Sequence, residues 1–182
     1  MTQPLPKLGI LAGGGSAPQR VLTMVQQAGR AFTLIGLEGQ AEPTLGAGLP
    51  CHWLPLGAGA RLVQLLRAEA VEEIVFIGKV RRPSLFELRP DSYTLQKLLQ
   101  IGFTMLGDDG LLRGIGKIFA DEGFRIVGVQ DLFTQFLTPS GQLGHIAPSA
   151  QDKTDMQRAA QIARQLGSAD VGQVVIVQQG LV

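Results

Sequence analysis

The chain alternates short apolar runs with stretches whose apolar positions recur every three or four residues. Leu8 to Ala12 (LGILA) is an unbroken apolar run stopped by Gly13, Gly14 and Gly15, the pattern of a strand buried on both faces. Ser16 followed three residues later by Gln19 fits a capping box, and Pro18 falls in the first turn, where a missing N–H is tolerated. The spacing predicts a helix to about Gln27, ended by Gly29, and then a second strand over Ala31 to Leu37 (AFTLIGL) that closes at Glu38-Gly39. Strand, glycine loop, helix and strand make a right-handed βαβ unit. Further on, His52 to Leu56 predicts a short strand. Ala60 to Ala70 predicts a helix with Leu62, Val63, Leu65 and Leu66 inward, and Glu73 to Gly78 (EIVFIG) a buried strand. Ser84 to Leu99 reads as helix in pieces, broken at Pro90. Asp108 or Asp109 opens a helix with Leu111, Leu112, Ile115, Ile118 and Phe119 on one face, ended by Gly123, and Arg125 to Val129 predicts another strand. This alternation predicts a three-layer, Rossmann-like α/β domain over residues 1–135.

The pattern changes after that. Residues 136–148, including TPSGQLGHIAP, read as a linker, and 149–182 as the beginning of a second α/β domain. Ser149 and Asp152 cap a helix to about Leu166, and Gly172 to Val177 (GQVVIV) predicts a strand. Gln178-Gln179-Gly180 predicts a hairpin turn, and Leu181-Val182 a returning strand. A two-residue strand has little to pair through, so the expectation is a second domain that is incomplete in this sequence.

Composition narrows the class. Of 182 residues 45% are hydrophobic and 17% charged, too apolar and too weakly charged for a disordered chain. No apolar run reaches the roughly 18 residues that would span a bilayer, and the N-terminus has no signal-peptide pattern. A lone cysteine, Cys51, excludes an internal disulfide and fits a cytoplasmic protein. A net charge of +1 gives no overall attraction to nucleic acid, and two histidines with one cysteine leave no closed zinc site.

Three stretches carry candidate chemistry. Gly13-Gly14-Gly15-Ser16, between a strand and a helix, offers backbone N–H groups and the positive end of a helix dipole to an anion. It also meets part of the dinucleotide pattern G-x-G-x-x-G, with Pro18 where the third glycine belongs and Glu38 placed to bind a ribose. A nicotinamide-dinucleotide protein is therefore one alternative. Lys79, Arg81 and Arg82 concentrate positive charge at the carboxyl end of a predicted parallel strand, where open α/β sheets bind ligands, and arginine forks match phosphate oxygens. Asp108 and Asp109 precede a helix, where they serve as N-caps or, as adjacent carboxylates, as ligands for Mg²⁺. His52 and His145 stand isolated.

Together KLGILAGGGSAPQRV, GLEGQAEP, FIGKVRRPSL, GDDGLLR, FRIVGVQDLF and the C-terminal APSAQDKTDMQRAAQIARQLGSADVGQVVIVQQGLV resemble, in order and spacing, the LpxI family, the UDP-2,3-diacylglucosamine pyrophosphatases of lipid A biosynthesis. The resemblance implies a Rossmann-like N-terminal domain, a linker and a C-terminal α/β domain, with the site between them. It implies Mg²⁺-assisted attack of water at the α-phosphorus of UDP-2,3-diacylglucosamine, giving UMP and 2,3-diacylglucosamine 1-phosphate (lipid X). On this reading Gly13, Gly14, Gly15, Lys79, Arg81, Arg82 and Arg113 bind substrate, and Asp108 and Asp109 are metal ligands. The acyl chains imply peripheral contact with the cytosolic face of the inner membrane, and a second copy of the chain, as a homodimer, is one way to cover an incomplete sheet. Members of that family continue well past the point where this sequence stops. The acidic residues implied for catalysis in that later part have no counterpart here, so a sugar-nucleotide-binding module without turnover is the other alternative.

Overall fold

A computed structural model of the chain describes residues 5–81, 84–102, 108–133, 136–169 and 171–182. Five parallel strands, β1 (Leu8–Ala12), β2 (Phe32–Leu37), β3 (Cys51–Leu54), β4 (Glu73–Ile77) and β5 (Arg125–Ile126), form one sheet in the order β3-β2-β1-β4-β5. β1 lies at the centre, with Leu8 in register with Phe32 on one side and Glu73 on the other. The strand order reverses between β1 and β4, which places a topological switch point at their carboxyl ends.

The apolar runs read from the sequence are runs because both faces of these strands are covered. Leu8, Ile10 and Ala12 pack with Leu34 and Val75 against Val21, Leu22 and Val25 of α1 (Ala17–Gln27). Leu11, Ile35 and Ile74 face the other way, onto Val63 and Leu66 of α2 (Gly59–Ala68) and Phe119 of α5 (Asp108–Asp121). Between β4 and α5 the chain forms α3 (Leu85–Leu88) and α4 (Ser92–Ile101), the break falling at Pro90 as the sequence predicts. The three-layer, Rossmann-like α/β architecture is thus present.

Some expected details differ. Ser16 is itself helical in backbone (φ −82°, ψ −16°) and makes no capping bond, so the predicted box with Gln19 does not form. Gln19 Oε1 instead accepts the Gly46 N–H at 3.2 Å. The fifth strand stops at Ile126, because a helical turn, α6 (Val129–Leu132), begins where the sequence predicts more strand. Toward the C-terminus, α7 (Ala150–Ser168) starts at a Ser149–Asp152 capping box. Gly172 to Val177 pairs with no other strand among the described residues. Only the turn forms, with Gln178 and Leu181 exchanging two 2.9 Å bonds and Gln179 (φ 49°) and Gly180 (φ 78°) both left-handed, as a two-residue type I′ hairpin requires. Their N–H groups donate to the buried Asp155 carboxylate of α7 at 2.7 and 2.9 Å. Sequence reading did not single out this clasp.

Two charged groups hold the frame away from the switch point. At the amino end of β4 the Glu73 carboxylate is buried, its side chain 4% exposed, against the Arg30 guanidinium at 2.6 Å and against Arg125 of β5. Arg30 also donates twice to the Pro6 carbonyl, at 3.0 and 2.7 Å, which ties the lead into β1 to the α1–β2 connection. At the other edge, Asp91 is the N-cap of α4, accepting the Thr94 N–H at 2.7 Å, and its second oxygen accepts the Ala60 N–H in the first turn of α2 at 3.0 Å. Burial pushes the Asp91 carboxyl up, but the Thr94 N–H, the Thr94 hydroxyl and the Ala60 N–H outweigh it and hold it below its ordinary value.

Glu73→Gln is expected to cost about 3–5 kcal/mol in urea unfolding, because it leaves the Arg30 charge buried without a counter-charge. Asp91→Ala is expected to cost about 1–2 kcal/mol at neutral pH, the range for lost helix caps. A carboxyl with a depressed folded pKa stabilises above its unfolded value, and that contribution goes as pH falls through the folded one. The gap between wild type and Asp91→Ala should therefore narrow below about pH 4, which acid unfolding series on both proteins would measure.

Candidate functional site

The carboxyl ends of β1 and β4 cross. After Ile77 the chain turns at Gly78 (φ +100°) and runs over the glycine loop as a strap, Gly78 to Arg81, instead of leaving the sheet directly. Gly13 donates to the Ile77 carbonyl at 2.8 Å, and Gly14 and Lys79 form an antiparallel bridge, each N–H donating to the other's carbonyl at 2.8 Å. The crossing is closer than side chains permit. A Cβ on Gly13 would strike the Lys79 carbonyl oxygen, and one on Gly78 would lie 2.8 Å from the Gly14 oxygen and from Pro18 Cγ. Glycine here is needed for backbone approach as much as for turning.

This changes how the glycine loop can meet an anion. The Gly13 and Gly14 amides, expected from the sequence to be open to a ligand, are committed to backbone carbonyls of β4 and the strap. Gly15 (φ +88°, exposed) and Ser16, before α1, have N–H groups with no acceptor among the described residues. They line a cleft of about 470 Å³ together with Gly13, Gln19, Glu42 and Thr44, within the size range of small-ligand sites. The carboxylate in that cleft is Glu42. Glu38, the expected ribose partner of a dinucleotide reading, is exposed with its N–H bonded to the Leu54 carbonyl at 3.0 Å, and does not line the cleft.

The strap brings Lys79 and Arg81 to this edge, both exposed. The Arg81 N–H donates to Gln40 Oε1 at 2.9 Å, and its guanidinium lies 3.4 Å from Glu87 Oε1 with both side chains largely in solvent, a pair worth about 0–1 kcal/mol. Glu87 also caps α3, accepting from the Ser84 N–H and hydroxyl. The Ser84 N–H first, then its hydroxyl and Arg81, hold the carboxyl below its usual range. Arg82 lies outside the described residues. Arg113 is exposed on α5, and the side chains of Asp108 and Asp109, at the start of α5, lie outside the described residues. Among the described residues no three His, Cys, Asp or Glu side chains gather as a metal site. His52 lines a separate groove with Arg61 and Gln64, and His145 is exposed in the 138–148 loop. Gln40, Glu42 and Thr44 were not singled out from the sequence, although Gln40 stands inside the GLEGQAEP stretch.

Gly13→Ala is expected to cost about 1–3 kcal/mol in urea unfolding, since the added methyl meets backbone that cannot move without breaking the crossing. Gly15→Ala meets no atom within 4 Å and should cost about 1–2 kcal/mol through its left-handed φ alone.

Comparison with known proteins covers nearly the whole chain. Residues 7–136 match the LpxI N-terminal domain and residues 139–182 the LpxI C-terminal domain. The UDP-2,3-diacylglucosamine pyrophosphatase LpxI of Caulobacter vibrioides is 36% identical over 177 residues, which cover 97% of this chain and 63% of that relative. The chain therefore spans a little under two thirds of the length of the curated relative it matches. With the glycine loop and the strap inside the first of these matches, the chain belongs to the LpxI family.

Proposed function

We propose that the chain binds UDP-2,3-diacylglucosamine by its diphosphate, and that it is the nucleotide-binding part of an enzyme hydrolysing that diphosphate to UMP and 2,3-diacylglucosamine 1-phosphate. The observation that carries the reading is the strap: backbone pairing with Gly14 holds Lys79 beside the amino end of α1, with Arg81 two residues further along the strap. Two side-chain cations and the amides of Gly15 and Ser16, which have no acceptor among the described residues, suit the charge of a diphosphate and the extra charge that develops on its oxygens as water attacks. In that step a bond forms between the water oxygen and the α-phosphorus, and the bond from the α-phosphorus to the bridging oxygen breaks. The bridging oxygen leaves with the sugar 1-phosphate. The similar Caulobacter protein carries that substrate in its name.

A dependence on Mg²⁺ is part of this proposal, with Asp108 and Asp109 as the residues that would hold the ion. No described helix is long and apolar enough to cross a membrane, so contact with the lipid substrate's bilayer is proposed as peripheral. The dinucleotide alternative loses support, because Glu38, its expected ribose partner, does not line the cleft beside the glycine loop.

UMP release from UDP-2,3-diacylglucosamine, measured with and without Mg²⁺, tests the reading. Metal-dependent release is expected of the active unit. UDP binding with no release would assign the chain to binding alone, and no UDP binding would overturn the proposal. Arg81→Ala should weaken UDP by about tenfold, the effect of one charge-assisted hydrogen bond, while leaving uridine within about twofold. Equal losses for UDP and uridine would remove Arg81 from the diphosphate site.

A further inference from the structure

Resting on the diphosphate reading above, we infer that Gln40 is the positioning residue of the strap: its side-chain amide fixes the Arg81 backbone, and so decides where the Arg81 guanidinium stands relative to the glycine loop.

Lys79 and Arg81 are held by different means. Lys79 is locked by two backbone bonds to Gly14. Two residues on, Arg81 is beyond that bridge, and its backbone N–H is held by a side chain, Gln40 Oε1, at 2.9 Å. Val80, between them, is 45% exposed, so burial does little to hold this part of the strap. Gln40 itself is well anchored. Its N–H donates to the Leu37 carbonyl at 3.0 Å in a tight turn at the end of β2, and the next residue, Ala41, is buried in the core and donates to the same carbonyl at 2.9 Å.

Gln40 also touches the third segment. Its carbonyl oxygen lies so near Gly14 that a Cβ there would sit 2.7 Å away. The ends of β1, β2 and β4 therefore meet at one residue, which contacts the glycine loop through its backbone and the strap through its side chain. A glutamine suits this task. Its amide oxygen accepts an N–H as a carboxylate would, and it adds no negative charge beside Lys79 and Arg81. A leucine of like size fills the space and leaves the Arg81 N–H without this acceptor.

The test pairs affinity with a readout that needs no ligand. Trypsin cleaves after Arg81, and the cleavage rate reports how often the strap leaves its place. Gln40→Leu is expected to speed cleavage after Arg81 about fivefold and weaken UDP about fivefold, the range for one net hydrogen bond. Gln40→Glu, which keeps the acceptor, should keep the wild-type cleavage rate while its added charge weakens UDP. In an Arg81→Ala background, Gln40→Leu should weaken UDP by no more than about twofold further, since its effect runs through Arg81. Additive losses in that double variant, or unchanged cleavage in Gln40→Leu, would overturn the assignment. If the wild-type chain binds no UDP, the diphosphate reading fails. The cleavage comparison between Gln40→Leu and Gln40→Glu then still decides whether Gln40 tethers the strap.

Discussion

The crossing of β1 and β4 is the constraint on which the rest of the site depends. In an open parallel sheet, successive chains normally diverge at a switch point and leave a crevice for ligand. Here two 2.8 Å bonds between Gly14 and Lys79 close that crevice with backbone. The three glycines after β1 and the one after β4 serve different ends as a result. Gly13 and Gly78 permit the approach, Gly14 supplies the bridge, and Gly15 carries the chain into α1. Binding capacity moves outward from the sheet to the start of α1 and to side chains on the strap. Two folds can thus share strand order and a G-x-G signal yet differ in which amides remain to be used.

Charge is divided between the two edges of the sheet. The Glu73–Arg30 pair lies at the amino ends, buried and multiply bonded, with Arg125 on its outer side. Its removal would be felt as lost stability, since one partner alone is costly to keep from water. The cations Lys79 and Arg81 at the carboxyl ends are exposed, and the Arg81–Glu87 ion pair is weak. Lys79 and Arg81 contribute little to folding, which leaves them available to a ligand.

Most of the frame was legible because buried parallel strands announce themselves as apolar runs closed by glycine. β1 runs over Leu8–Ala12 as read, and β2 and β4 fall within a residue of the expected ends. What escaped was decided by pairing that local pattern cannot carry. Val129 reads as strand by its neighbours, but a hydrogen bond between Gly128 and Asp131 begins a turn there. Ser16 and Gln19 have the spacing of a capping box, yet Gln19 is taken up by Gly46, remote in sequence. Val174 and Ile176 have the composition of a strand but are 81% exposed and find no ladder among the described residues. The basic stretch was legible as charge. That its backbone would fold onto the glycine loop, and that Gln40 would hold it, depends on contacts across some forty to sixty-five residues of chain.

Asp91 adds a mechanical consequence. One carboxylate serves the starts of both α2 and α4, and Gly59 donates to the Thr94 hydroxyl beside it, so the two helices share a single pivot and cannot shift independently. β4 is equally fixed on the other side by its two neighbouring strands. The strap thus leaves from a strand that is fixed on both sides, and the left-handed Arg89 precedes a helix pair that is fixed as well. Mechanically, α2 and α4 are yoked at Asp91, so a push on the start of either helix is delivered to the other.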